Sequence, residues 1–171
     1  MIKLIPPDPK YKLSFLEGLQ EFQQEERSTE LELEDLEKNF QSFVKKQRNR
    51  SKGEDLPEGF VPETIYWLMD NDDYVGRVVI RHKMTEILLR EGGHIGYAIR
   101  PSKRKKGYGK NILKLALEEA KKLGLKKVLL TCNENNIGSK KIIESNGGVF
   151  QDRVFLSAEK PYKLRYWIDL T

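Results

Sequence analysis

Cysteine is nearly absent: Cys132 stands alone among 171 residues. No internal disulfide can form, so burial and hydrogen bonding must hold the fold. Histidine is scarce too, and the scattered His82 and His94 with one thiol cannot supply a tetrahedral zinc site. No apolar window approaches the length of a membrane span, and Met1-Ile2-Lys3-Leu4-Ile5-Pro6-Pro7 lacks the apolar stretch of a signal peptide. These absences point to a soluble, cytoplasmic protein in a reducing compartment, with no membrane partner and no metal.

Charge is what the chain has in quantity. Lys and Arg number 31 against 26 Asp and Glu, a net charge of +5. Acids are spread along most of the sequence, so a whole-surface nucleic-acid footprint is not indicated. With 38% hydrophobic residues, the chain can bury one sizeable core, and a single domain over residues 1–171 is expected.

Part of the positive charge is concentrated. Lys103-Arg104-Lys105-Lys106 runs into Gly107-Tyr108-Gly109-Lys110, and the amphipathic stretch Asn111 to Lys122 follows at once. A basic, glycine-bearing loop therefore opens a helix. Glycine lets the backbone approach a ligand closely, and the first amides of a helix lack internal partners and lie at the positive end of its dipole. Such a place suits a phosphate. Two common phosphate motifs do not fit: Gly109-Lys110 is followed by Asn111 where a P-loop needs Ser or Thr, and Ile112 stands where a dinucleotide fingerprint needs glycine. A solvated basic loop capping a helix is the plainer alternative for the pattern taken alone.

The flanking chain supplies context. Ile2 to Ile5 reads as a short edge strand ended by two prolines. Tyr11, Phe15, Leu19 and Phe22 recur at helical spacing through about Glu25, and Leu33, Leu36, Phe40, Phe43 and Val44 do so through about Lys45. The charged stretch from Lys45 to Leu56 reads as a loop. Thr64 to Met69 and Tyr74 to His82 form a hairpin about Asp70-Asn71-Asp72-Asp73, and a short helix is expected over Thr85 to Arg90. After Gly92-Gly93, the strand His94 to Arg100 places Ile95, Tyr97 and Ile99 on one face and the small Gly96 and Ala98 on the other. Lys126 to Cys132 is a further strand, so the basic loop lies inside a strand-helix-strand unit whose two strands are expected to be parallel. A ligand cleft belongs at their carboxyl ends. Ile137 to Ser145 is a last helix, and Val149-Phe150, Val154-Phe155 and Tyr162 to Leu170 complete a hairpin.

Arg104-Lys105-Lys106-Gly107-Tyr108-Gly109 resembles the Arg/Gln-x-x-Gly-x-Gly/Ala signature of the GNAT acyltransferase superfamily. Gly92 to Pro101 before it and Asn136 to Gly148 after it resemble a bacterial-type branch of those acetyltransferases. The resemblance implies an α/β GNAT fold: a central mixed, twisted sheet of about six to seven strands flanked by about four helices. It also implies acetyl-CoA as co-substrate and direct transfer of the acetyl group to an amine.

Residue by residue, the resemblance sets the coenzyme A pyrophosphate against the amides of Arg104, Lys105, Lys106, Gly107, Tyr108, Gly109 and Lys110, with the cations of the loop as electrostatic support. The pantetheine runs beside Ile99 and Arg100, where in such folds the two parallel strands splay apart and leave backbone groups of the first free for the pantetheine amides, and an amide near Ile99 can polarise the thioester carbonyl. Asn136 matches the family's Asn at the following helix, as cofactor contact or as helix cap, and Ser139 of that helix is assigned to the cofactor too. The Tyr that many relatives use to protonate the leaving thiolate falls here on Ile143, which leaves Tyr97 and Cys132 as substitutes. For the base, Glu91 and His94 are the candidates, with Glu134 as another option; His94 also suits a structural hydrogen bond beside the glycines. The acceptor, a small-molecule or peptide amine, has no motif. A noncatalytic CoA-sensing or nucleic-acid-binding module using the basic loop is the alternative. The aromatic last strand offers a pairing surface for a homodimer if it lies at an edge.

Overall fold

The computed structural model describes residues 1–171. In chain order the elements are β1 (Ile2–Ile5), α1 (Lys12–Gln24), α2 (Leu33–Asn49), β2 (Glu63–Asp70), β3 (Asp73–Arg81), β4 (Ile95–Ile99), α3 (Tyr108–Lys122), β5 (Lys127–Asn133), α4 (Ile137–Ser145), β6 (Val149–Val154) and β7 (Lys163–Asp169). Seven strands and four helices follow in the order expected from the sequence.

Hydrophobic stripes decide how the layers meet. On α1, Phe15, Leu16, Leu19 and Phe22 are buried, and on α2 Leu36, Phe40 and Val44 join them. Both helices cover one face of the β1–β4 sheet, where Phe15 stacks on Trp67 at a centroid distance of 4.6 Å. Each large side chain buried this way contributes about 1.5–3 kcal/mol. The other face packs against α3 through Ile112, Leu113 and Ala116, in a core that also takes Leu68, Val78 and Ile80. That core continues into Leu164, Tyr166 and Ile168 of β7, alternate positions that face inward.

Two local expectations are corrected. The stretch from Lys45 is not a loop at once: α2 runs to Asn49 and a 3-10 turn continues it through Lys52, ending where Gly53 takes φ 80°. Gln47 is buried on it, and Arg50 reaches the buried Glu63 at 2.8 Å. The short helix expected over Thr85 to Arg90 forms, the Leu89 amide bonding the Thr85 carbonyl at 2.9 Å, and runs on as a π-type turn at Leu88–Gly92. Gly93 closes that turn, its amide 2.6 Å from the Leu88 carbonyl, at φ 69°. A Cβ there would lie 2.6 Å from the Leu129 carbonyl oxygen, so only glycine permits so close an approach.

The second correction concerns the last strand: β7 lies between β5 and β6, so it is not an edge and offers no pairing surface for a homodimer. Strands pair as β1-β2-β3-β4 and as β5-β7-β6, with no ladder between β4 and β5, in keeping with the expected parting of those two strands. Those two strands meet at a single point, where the His94 amide donates to the Leu129 carbonyl at 2.7 Å. Beyond it they part. The Thr131 hydroxyl is spent on the Glu91 carbonyl at 2.8 Å, and Tyr97 reaches across to Ser139 of α4 at 3.0 Å.

Candidate active site

The basic loop and the parting strands open on one cleft. Gly107 precedes α3 at φ 83° and caps it without any side-chain hydrogen bond, so the first amides of the helix are left without a capping group. A Cβ on Gly107 would meet nothing within 4 Å. The loop is anchored from outside the cleft: Tyr108 donates to Asp70 at 2.7 Å, and Lys106 to the Ser102 carbonyl at 3.0 Å.

β4 supplies the floor. Arg81 donates its amide to the His94 carbonyl and Arg100 donates its own to Val75. In this antiparallel register His94, Gly96, Ala98 and Arg100 therefore bond toward β3, while Ile95, Tyr97 and Ile99 point their amides the other way. Past the His94–Leu129 contact, β5 gives those amides no backbone partner. The Ile99 carbonyl accepts the Arg104 Nε at 3.1 Å.

Two joined hollows lie in this opening. A cleft of about 590 Å³ is lined by Tyr97, Ile99, Gly107, Asn136 and Ser139 with the cations Arg27, Arg104, Lys105, Lys110 and Lys141. A smaller hollow of about 210 Å³ shares Tyr97, Asn136 and Ser139 and adds Gly96, Thr131, Cys132 and Lys163. Between the two, the Tyr97 and Ser139 hydroxyls form a pair. Burial pushes the Tyr97 phenol up to about 12, against the opposing effect of the Ser139 hydrogen bond, so it keeps its proton at neutral pH.

The sequence candidates are distributed unevenly about this opening. Tyr97, Ile99, Arg104, Lys105, Gly107, Gly109, Lys110, Asn136 and Ser139 line it. Asn136 caps α4, its Oδ1 accepting the Ser139 amide at 3.0 Å. Arg100 turns its side chain into an acidic nest, 2.7 Å from Glu21, 3.2 Å from Asp73 and 3.3 Å from Glu17. Lys106 and Tyr108 serve the loop's own anchoring. His94 sits in the seam between the sheets, 8% exposed, its Nδ1 accepting the Leu129 amide at 2.9 Å. Burial and then the charge of Arg81 push its pKa down, which suits an acceptor nitrogen. The Glu91 carboxylate has Lys160 at 3.8 Å, and Glu134 is held by Arg153. Ile143 is fully buried, and Cys132 is a buried thiol with its pKa raised by burial.

Sequence reasoning missed the support that α1 gives this site. Glu21 accepts the Ser102 amide and hydroxyl, each at 2.9 Å, and Glu25 grips the Arg104 guanidinium with both oxygens, at 2.7 and 2.8 Å. The spacing of Glu17, Glu21 and Glu25 puts them on one helical face, a visible signal without a visible partner. Arg27, Lys141 and Lys163 were missed as well, because none belongs to a motif.

In chemical terms the cleft offers uncapped helix amides and cations for a phosphate-bearing ligand, outward strand amides for an extended amide-bearing arm, and a hydroxyl pair at its far end. A family model described as an acetyltransferase (GNAT) domain matches residues 12–149. Among solved structures, the acetyl transferase from Salmonella typhimurium that modifies the N-terminal serine of a 50S ribosomal subunit protein is similar in fold, with TM-score 0.67, 12% identity, and 98% of this chain and 94% of that one covered. The microcin self-immunity acetyltransferase MccE, in complex with acetyl-CoA and AMP, superposes with TM-score 0.71 at 15% identity, covering 98% and 92%. A spermidine N-acetyltransferase chimera built from Vibrio cholerae SpeG and hSSAT gives TM-score 0.64 at 16% identity, covering 99% and 95%. No curated protein matches the chain at a significant level.

Proposed function

This chain belongs to the GNAT acetyltransferase family, and from that premise we propose that it moves an acetyl group from acetyl-CoA directly to an amine, without a covalent enzyme intermediate. The observation that carries the reading is the parting of β4 from β5 beside the uncapped start of α3, which leaves the amides of Tyr97 and Ile99 facing the cleft. The acetyl-CoA-bound relative lends support from outside the chain.

The residues present fit the co-substrate. Amides from Gly107 to Lys110, with Lys105, Lys110 and Lys141 around them, meet the phosphates, and the β4 amides meet the pantetheine. Acetyl-CoA supplies a thioester carbonyl and a thiol leaving group. A β4 amide aimed at that oxygen stabilises the charge that develops on it. The Tyr97–Ser139 pair is placed to donate a hydrogen bond to the departing sulfur; a thiolate whose acid titrates near about 8.5 can leave on that hydrogen bond and take its proton afterwards from water. Lys163, the one cation lining the smaller hollow, favours the neutral form of an approaching amine, whose free pKa of about 10 would otherwise keep it protonated.

Calorimetric titration with acetyl-CoA tests the reading, with Gly107→Glu alongside. Micromolar binding is expected, lost in the variant while its circular dichroism is retained, because a carboxylate at that position repels the pyrophosphate. Absence of binding to the natural chain would overturn it.

A further inference from the structure

The charges around the opening are unequal in a way that bears on the acceptor. Arg77 of β3 stands opposite Ala98 of β4, and directly opposed residues of an antiparallel pair share a face. That face is the one α1 and α2 cover, since Ala98 belongs to their core. Tyr97 and Ile99, by contrast, pack against the core on the α3 side. Arg77 is therefore on the face of β4 turned away from the start of α3 and its phosphate cradle.

Arg77 is half-buried, and its only side-chain partner is the Ser28 hydroxyl in the α1–α2 connection, at 3.2 Å. No carboxylate lies within 4.0 Å of it. Neighbouring Arg27 is in the same position: its guanidinium lies over the Phe22 ring at 5.4 Å and has no acidic partner within that distance. Lys163, in the smaller hollow, is held by the Asn133 amide oxygen at 2.7 Å and forms no ion pair. Three carboxylates of the surrounding segments are matched to cations, Glu63 to Arg50, Glu25 to Arg104 and Glu134 to Arg153, while Glu26 and Glu30 of the α1–α2 connection are exposed to water and leave Arg77 without an ion pair. The acids Glu32, Glu34 and Asp35 line a separate cavity that shares no residue with the cleft.

A half-buried guanidinium without a counter-ion costs solvation free energy that an anion can return. We propose that the acetyl acceptor is an amine that carries its own anion, a carboxylate or phosphate a few bonds from the nitrogen, received by Arg77 with Arg27 near it. This rests on the acetyl-transfer reading above. A polycationic amine meets the like charges of Arg77 and Arg27 on this side of β4, and like-charge juxtaposition selects against it.

The experiment has two stages. Calorimetry with acetyl-CoA comes first; failure there removes the acetyl-transfer reading and this proposal with it. Thiol release from acetyl-CoA is then followed with phosphoethanolamine and the tetrapeptide Ser-Asp-Glu-Ala, against spermidine and Ser-Lys-Lys-Ala. An anionic amine is expected to exceed both cationic ones in kcat/KM by about tenfold or more, the scale of one charge-assisted hydrogen bond. The two anionic probes distinguish a phosphate from a carboxylate. Arg77→Gln is expected to raise KM for the preferred amine about tenfold with acetyl-CoA affinity unchanged, and Arg77→Lys to recover part of the loss. Preference for the cationic amines, a preference untouched by Arg77→Gln, or acetyl-CoA binding with no anionic amine acetylated would each overturn it.

Discussion

His94 grips Leu129 twice. Its amide donates to the Leu129 carbonyl at 2.7 Å, and its imidazole Nδ1 accepts the Leu129 amide at 2.9 Å. The ring thus supplies the acceptor that the Gly92 carbonyl would provide in a regular parallel ladder, and the sheets are joined without a second strand bond. Because the join ends there, β4 and β5 are free to part within three residues, at Tyr97. One histidine therefore both closes the core and sets where the cleft begins.

That contact makes stability depend on pH in a predictable sense. Nδ1 can accept only while it is unprotonated, and burial holds the folded pKa below the ordinary value. As pH falls below about 6.5, the unfolded chain binds a proton that the folded chain resists, so stability is lost through that window. Urea midpoints measured from pH 8 to pH 5 should fall for the natural chain and fall less steeply for His94→Gln, which keeps an acceptor that does not titrate. Parallel curves would show that His94 does not titrate as the seam requires. His82 is present in both chains and cancels.

The Tyr97–Ser139 pair yields a kinetic prediction. Tyr97→Phe removes one hydroxyl and leaves the ring in its packing, so acetyl-CoA affinity should stay within about twofold. Turnover should fall by about 10²-fold or somewhat less, the usual contribution of a positioned acid. A deficit that shrinks with a thioester of a more acidic thiol, whose leaving group needs less help, would fit hydrogen bonding to sulfur; an unchanged kcat would exclude the pair from it.

Glu21 gives a test of how α1 holds the loop. Burial raises its pKa, but the Ser102 amide, the Arg100 guanidinium and the Ser102 hydroxyl together outweigh that and bring it below the usual range. Glu21→Gln removes the charge facing Arg100, which is 8% exposed and keeps Asp73 and Glu17 as partners. A loss of about 1–3 kcal/mol in unfolding free energy is expected at pH 7. The difference from the natural chain should shrink as acid protonates Glu21, since a depressed carboxylate pKa gives stability that is lost as pH falls through it.

Local patterns were legible in the sequence, and distant matches were not. The glycines and cations from Arg104 to Lys110 and the apolar stripe behind them are neighbours in the chain, so the loop-helix unit could be read directly. Element order followed from periodicity in the same way. Arg104 looked like a free phosphate-facing cation because Glu25, which grips it, lies 79 residues earlier. The parting of β4 and β5 was expected from the resemblance, but nothing local tells that the His94 ring takes the place of a ladder bond where they last meet. Arg77 read only as one of several charged positions in a strand; its lack of a counter-ion appears once the carboxylates of three other segments have found theirs.

Glu91 is the remaining carboxylate to test as a base. Its carbonyl accepts the Thr131 hydroxyl at 2.8 Å, and Gly92 and Thr131 both line the smaller hollow, so the residue is anchored at that rim. Its carboxylate has only Lys160, at 3.8 Å, a loose pairing that leaves lone pairs for water. Acting through a water, it would take the acceptor's proton as the nitrogen attacks. Glu91→Gln keeps the shape and removes the basicity, and should lower kcat/KM for the amine by about 10²-fold with acetyl-CoA affinity unchanged. Raising the pH should narrow the gap, because hydroxide and the rising neutral fraction of the amine replace a base more easily than they replace a binding contact. A gap that stays constant from pH 7 to pH 9 would make Glu91 a contact for the acceptor, and no gap at all would remove it from the reaction.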